Sequence, residues 1–216
     1  MNVKNTLCSW SGGKDSCFAL MKAKEAGYSP KVLLNVLNEE GKISRSHGIP
    51  SAILQQQAAE AGLPVKLISS SWNDYEKNFT TALRSLKEEY RLGHAVFGDI
   101  DLQAHRDWEE KVCAAAGLEA VLPLWLQNRK ELVLQMLDAG IETMIVSCNE
   151  IMGERFIGQT LTPALVDELE SMGIDACGEN GEFHTLVLNC PLFQKRVNAI
   201  VKEKVLHEKY WFGMLE

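Results

Sequence analysis

The stretch Ser9-Trp10-Ser11-Gly12-Gly13-Lys14-Asp15-Ser16 constrains this chain more than any other part of it. An apolar run at residues 3–8 leads into it, and Phe18, Leu20, Met21, Ala23 and Ala26 follow at helical spacing up to Gly27. A strand, a tight glycine turn and a helix N-terminus are therefore expected in succession. Backbone N–H groups and the helix dipole hold phosphates at such junctions. Gly12 and Gly13 let the backbone approach an anion with no Cβ in the way. Ser11 and Ser16 add hydroxyl donors, and Lys14 adds a compact positive charge. Asp15 would repel a phosphate directly, so its expected task is to hold a Mg²⁺ bridging phosphate oxygens, or to cap the helix. The spacing is neither that of a G-x-x-x-x-G-K-[ST] loop nor that of a G-x-G-x-x-G turn.

Strands are expected at 31–37, 65–69 and 94–98, alternating with helices at 51–61, 75–92 and 102–116. That alternation predicts an α/β fold with a parallel sheet wound by right-handed crossovers. Ligands of such sheets gather beyond the carboxyl ends of the strands. Three polar groups fall there: the 11–16 loop, the segment from Asn35 to Asn38, and Asp99 with Asp101. Asn35 is placed toward the adenosine end of a nucleotide, while Asp99 either ligates a metal, orients a substrate, or caps the next helix. On that helix Arg106 has the geometry to grip a phosphate or carboxylate, and His105 has the weaker case. The loop at 42–50 carries Arg45, Ser46 and His47.

A boundary is expected near residues 121–125, dividing the chain into domains 1–124 and 125–216. Beyond it the pattern predicts a helix at 130–139, a strand at 144–148, a helix at 163–172 opened by Thr162-Pro163, and a strand at 185–188. The tail at 197–212 reads as two strands, or a strand and a turn. Before the 185–188 strand lies Cys177-Gly178-Glu179-Asn180-Gly181-Glu182-Phe183-His184-Thr185, the second dense cluster. Gly178 and Gly181 permit a tight loop; Glu179 and Glu182 suit a cation or amine; His184 suits proton transfer; Thr185 adds a hydroxyl. The alternative is a surface hairpin turn.

Composition narrows the classes of function. A net charge of −7 argues against broad nucleic-acid binding. No apolar run is long enough to cross a bilayer and no signal-peptide core follows Met1, so a cytoplasmic protein is expected. The six cysteines lack any C-x-x-C pair and read as buried small hydrophobes rather than a disulfide frame or zinc site. Trp211 and Phe212, expected to be exposed near the C-terminus, are candidates for a homodimer interface.

The 9–16 stretch resembles the S-G-G-x-D-S PP-loop of the ATP pyrophosphatases. Taken in order with VFGDI (96–100), HRDWEE (105–110), PLW (123–125), FIG (156–158) and CGENGEFHT (177–185), it makes nearly the whole chain similar to the diphthine–ammonia ligase family. The resemblance implies an N-terminal adenine-nucleotide domain of the HUP type, a smaller C-terminal α/β domain, and an active site between them. It implies a carbon–nitrogen ligase that uses ATP and Mg²⁺ to adenylate the carboxylate of diphthine on elongation factor 2. Pyrophosphate leaves, and free ammonium then supplies the amide nitrogen as AMP departs. Carried over, Gly12, Gly13, Lys14, Asp15 and Ser16 bind pyrophosphate and metal. Gly178, Glu179, Gly181, Glu182, Phe183, His184 and Thr185 receive the diphthine end, with Phe183 and Trp125 offering aromatic faces to its trimethylammonium group. Lys14, Asp15, Asp99, Glu182 and His184 are the expected catalytic residues. Two other readings stay open: a PP-loop enzyme adenylating a small molecule or tRNA, and a nucleotide-binding sensor without turnover.

Overall fold

Five parallel strands form the first sheet, in the order β3-β2-β1-β4-β5. They are β1 (Lys4–Ser9), β2 (Tyr28–Leu37), β3 (Val65–Ser69), β4 (His94–Val96) and β5 (Glu119–Val121). The computed structural model describes residues 4–216, so the expected start of the first strand at Val3 lies outside the described residues. Helices α1 (Lys14–Glu25), α2 (Ser51–Glu60), α3 (Tyr75–Tyr90) and α4 (Gln103–Ala116) make the crossovers. β1 pairs with β2 on one side and β4 on the other. Strand order thus reverses between β1 and β4, and the crevice beyond Ser9 and Val96 is where a wound sheet binds ligands.

The sheet is covered on both faces, as parallel sheets are. Val32, Leu34 and Val36 of β2 pack with Phe79, Leu83 and Leu86 of α3 and Val112 of α4. The alternate residues Leu33 and Leu37 lie in a second cluster with Phe18, Leu20 and Leu54 from α1 and α2. In α3 the buried residues Phe79, Ala82, Leu83 and Leu86 repeat at helical spacing, so one stripe meets the sheet. α4 ends where Gly117 turns left-handed at φ 69°, and Leu118 N–H bonds Cys113 O at 2.8 Å.

The second sheet is antiparallel, in the order β7-β6-β9-β8. It comprises β6 (Glu142–Asn149), β7 (Phe183–Asn189), β8 (Val201–His207) and β9 (Tyr210–Leu215), with α5 (Arg129–Asp138) and α6 (Pro163–Ser171) beside it. Thr162 caps α6, its Oγ1 accepting from Leu165 N–H at 3.2 Å. The tail is a hairpin of two strands. Trp211 and Phe212 pair with Cys148 and Ser147 on β6 and are half-buried, so the exposed aromatic surface expected there is absent. One apolar cluster runs through both sheets, from Cys8 and Phe18 to Phe183 and Val187. The six cysteines are all buried and free. Among the described residues no helix is long and apolar enough to cross a membrane.

Two elements depart from the sequence reading. β2 begins at Tyr28 and carries Pro30 inside it, where a register shift follows Thr6 on β1. β3 pairs only from Leu33 onward, so the missing N–H of Pro30 falls at an edge. β5 was not expected, because three residues between Gly117 and Pro123 are too few to show periodicity.

Candidate active site

The loop after β1 is wedged between α2 and β7. Gly12 has φ +85°, and a Cβ there would stand 2.9 Å from Gln57 Oε1 and Leu54 Cδ2. A Cβ at Gly13 would stand 2.7 Å from His47 Cε1 and 3.0 Å from Thr185 O. The glycines therefore serve close protein packing, and neither lines the cavity described below. Buried Gln57 holds the loop: it accepts from Trp10 Nε1–H at 2.9 Å, and its amide donates to Gly12 O at 3.0 Å and Val187 O at 2.8 Å. From the second sheet, Val187 N–H donates to Gly12 O at 2.9 Å, and Thr185 Oγ1 accepts from Lys14 N–H at 3.1 Å. Ser11 Oγ accepts from Gly13 N–H at 3.2 Å and lies 3.1 Å from Ser16 Oγ.

Lys14 is 2% exposed. Its Nζ donates to Asp15 Oδ2 at 2.9 Å and to Cys177 O at 2.6 Å. One of its three donors is left over for a ligand. Burial is the largest single effect and opposes the charge on Lys14, but Asp15, Cys177 and Glu179 together outweigh it and raise the ammonium above its ordinary value. The other Asp15 oxygen, Oδ1, is buried with no hydrogen-bond partner among the described residues. That orphaned hard acceptor fits a Mg²⁺. No group of three or more His, Cys, Asp or Glu side chains among the described residues can hold a metal by itself. Asp15 would thus share such an ion with phosphate oxygens and water, as Mg²⁺ sites commonly do.

These groups open onto a cavity of about 680 Å³. Ser11, Lys14, Asp15 and Ser16 line one wall, and Asp99 with His105 lines a second. Gly178, Glu179, Gly181, Phe183, His184 and Thr185 line a third. Asn35 borders a smaller adjoining space of about 90 Å³. Its Nδ2 donates to Trp10 O at 2.7 Å, and its Oδ1 is a buried acceptor without a partner among the described residues.

Four expected side chains, those of Arg106, Trp125, Glu182 and Asp101, reach neither space. Arg106 is turned away on α4, bound to Glu110 at 2.7 Å and stacked 5.0 Å from the centre of the Trp125 ring, which is itself outside the cavity. His105 and Glu109, one turn apart, occupy the inward face instead. Glu182 is spent within its own loop. Its carboxylate accepts from Asp175 N–H at 3.3 Å, Asn180 N–H at 3.0 Å and Asn180 Nδ2 at 3.1 Å. Asp101 binds Arg129 at 2.6 Å, and Arg129 also grips Asp175, fastening the 175–182 loop to the end of β4.

Sequence reasoning assigns no role to Ser46, His47, Trp72, Tyr75, Trp108 or Glu109, although it places the first two on the 42–50 loop and the last two in the 105–110 block; all six line the cavity. His47 lies on the loop leaving β2, a carboxyl strand end, so its position was a usable signal. Its Nδ1–H donates to Thr185 O at 2.9 Å, and its ring centre is 4.6 Å from that of His184. Burial pushes His47 down to about 4 and, with His47 and Lys14 nearby, takes His184 well below the usual imidazole value. Both rings are neutral hydrogen-bonding groups at ordinary pH. Glu179 is raised to about 8 by burial and then by Asp15. Glu109 is pushed up to about 11 by burial and by its hydrogen bond to Asp99. Burial works against the Asp99 charge, but bonds from His105 and Glu109 hold that carboxyl below its ordinary range.

Comparison with known proteins bears on these contents. The family described as "Diphthamide synthase N-terminal domain" matches residues 4–120, and "Diphthamide synthase C-terminal domain" matches residues 128–215. The chain is 28% identical to the human protein named diphthine–ammonia ligase, over 91% of this chain and 83% of that one. It is 30% identical to the protein of that name from Schizosaccharomyces pombe, over 91% of this chain and 36% of that one. A solved structure titled as a predicted subunit of tRNA methyltransferase from Methanocaldococcus jannaschii shares 16% identity and a TM-score of 0.47, covering 87% of this chain and 98% of that one. With both halves of its length matched and relatives that are ligases by name, the chain belongs to the diphthamide synthase family.

Proposed function

We propose that this protein is an ATP-dependent amide ligase that adenylates a carboxylate, releases pyrophosphate, and joins ammonia to the activated carbonyl with loss of AMP. The acceptor we assign is diphthine, the substrate in the names of its relatives, carried on elongation factor 2. One observation carries the reading: in a member of this family, a single cavity joins the 11–16 loop, Asp99 and the 177–185 segment.

Each wall has a task in that chemistry. The hydroxyls of Ser11 and Ser16, the spare Lys14 donor and the Asp15 and Ser16 amides of α1 would face the leaving pyrophosphate, where negative charge accumulates. A Mg²⁺ on Asp15 would neutralise phosphate charge. Asn35 Oδ1 offers an acceptor to the amino group of adenine in the adjoining space. Gly178 to Thr185 form the acceptor wall, with His184 as a neutral hydrogen-bonding partner. Of the aromatic faces expected for a trimethylammonium group, Phe183 lines the cavity and Trp125 does not, while Trp72, Tyr75 and Trp108 line it as well.

The test is a product assay with Mg-ATP and ammonium, with and without diphthine-bearing elongation factor 2. The expected result is acceptor-dependent AMP and pyrophosphate together with a mass change of the histidine peptide from acid to amide. ADP and phosphate as products would remove the adenylating mechanism. AMP formed without regard to that acceptor would remove diphthine alone.

A further inference from the structure

His105 and Glu109 stand one turn apart on α4, and Asp99 faces both. His105 Nδ1–H donates to Asp99 Oδ1 at 2.6 Å. In neutral imidazole that bond leaves the lone pair on Nε2. The ring lines the cavity, with its side chain 57% exposed. Glu109 is the opposite case: it is 3% exposed, its Oε2 has no partner among the described residues, and burial together with neighbouring Asp99 favours its protonated form. Two carboxyls in contact share a site best when one keeps its proton. The buried one keeps it here, leaving the charge on Asp99, where it faces the histidine.

We infer that His105 is the base that takes a proton from ammonium in the amidation step, held in the right tautomer by Asp99, while Glu109 donates to Asp99 as a neutral acid. This rests on the ligase reading above. Ammonium has no lone pair with which to attack. Its proton passes to His105 Nε2, and the freed pair forms the C–N bond at the acyl carbon of the adenylate. The C–O bond to the AMP phosphate breaks with its electrons leaving on the phosphate, and a second proton lost from nitrogen to water yields the amide. The charged groups acting on His105 are Asp99 from the β4–α4 loop and Glu179 from the 177–185 segment, with Glu109 one turn on along its own helix beside Asp99, all acids. Those that carry charge favour the imidazolium formed in the step. The other candidates lack this placement. Glu182 is consumed by its loop, and His184 lies beside Lys14 and His47, which disfavour a proton on it. His105 is the catalytic residue; Asp99 and Glu109 position it.

Hydroxylamine separates the roles, because it is mostly unprotonated near neutral pH and attacks acyl-adenylates without a base. In His105→Gln we expect amide formation from ammonium to fall about 10²-fold or more, the usual range for a general base. Hydroxamate formation and acceptor-dependent pyrophosphate exchange should stay close to the parent. The amidation deficit should close at high pH, where ammonia arrives already deprotonated. Glu109→Gln keeps a donor to Asp99 and should amidate, whereas Glu109→Leu should lose amidation but keep hydroxamate formation. Amidation at the parental rate in His105→Gln, or hydroxamate lost in step with the amide, would overturn the assignment. A parent protein that forms neither hydroxamate nor AMP would instead overturn the ligase reading, and this inference with it.

Discussion

Gly98 follows β4 and lies directly on the first turn of α1. An ideal Cβ at Gly98 would stand 2.7 Å from Ser16 N, 2.8 Å from Asp15 C and 3.0 Å from Asp15 O. The nearest of these is about 0.7 Å inside ordinary contact, which begins at 3.4 Å. All three atoms are backbone, so no side chain can swing aside. Gly98→Ala must therefore displace α1 from β4, at an overpacking cost of about 1–3 kcal/mol. In a chain of this length that lowers Tm by about 2–12 °C, at about 2–4 °C per kcal/mol. The displaced atoms belong to Asp15 and Ser16, so nucleotide binding should weaken as well. Gly93 supplies the control. It is exposed, a Cβ there meets nothing within 4 Å, and its φ is not positive. Gly93→Ala should be neutral, or stabilising by about 0.4–1 kcal/mol through the unfolded state. Thermal melts and ATP titrations of the two variants decide the matter. Equal Tm values with unimpaired ATP binding in Gly98→Ala would refute the claim that this close approach positions the loop.

Gln57→Leu removes three bonds that join Trp10, Gly12 and Val187, and leaves buried polar groups unpaired at about 3 kcal/mol in total. Urea unfolding that shows a loss below about 1 kcal/mol would count against it. Arg129→Ala strands Asp175, whose side chain is 8% exposed. We expect about 2 kcal/mol of destabilisation, discounted for the partial exposure of Asp101, and a rise in KM for the acceptor larger than the fall in kcat. Glu179 gives a pH dependence. Its folded value of about 8 lies above the ordinary 4.5, so the folded protein keeps a proton that the unfolded chain releases. That contribution is present in acid and is lost as pH rises through about 8. Glu179→Gln should therefore gain in Tm over the parent as pH is raised from about 5 to 8, and parallel melting curves across that range would contradict the assignment.

The wound sheet was legible because each strand is an apolar run closed by Gly, Pro or a polar turn, and each helix shows its stripe. Pro30 misled the reading of β2 because a lone proline usually marks a boundary, whereas here the bulge opposite Thr6 and the late start of β3 accommodate it. In the site, residues adjacent in sequence to a strand end were found, since local order alone puts them there. Those brought in by tertiary packing were not. Trp72 and Tyr75 look like ordinary members of a helix start, and Glu109 like one more charge on an exposed helix. Only the register of α4 against Asp99 shows that Glu109 is buried and Arg106 is not. Glu182 misled in the other direction: two residues of backbone let its carboxylate fold back onto Asn180, a local competition that spacing does not reveal.

The 11–16 loop makes contacts with the second sheet that matter to its form. Of its backbone groups, Lys14 N–H goes to Thr185 and Gly12 O accepts from Val187, while the Lys14 side-chain ammonium reaches the Cys177 carbonyl. None of these partners lies in the first sheet. A strand, glycine turn and helix can be read from residues 4–25 alone, but a buried Lys14 beside Asp15 would be costly without the Cys177 carbonyl and the Phe183 ring, 5.3 Å from its Nζ. The sequence segment that looks most self-sufficient is thus the one that depends most on residues some 170 positions away. The acceptor wall and the phosphate wall share the same hydrogen bonds. On the ligase reading proposed above, a shift of the 177–185 segment on meeting its acceptor would be felt directly at Lys14 and Asp15, where that reading puts the leaving pyrophosphate. The link between the two substrates would then follow from which atoms the loop is bonded to.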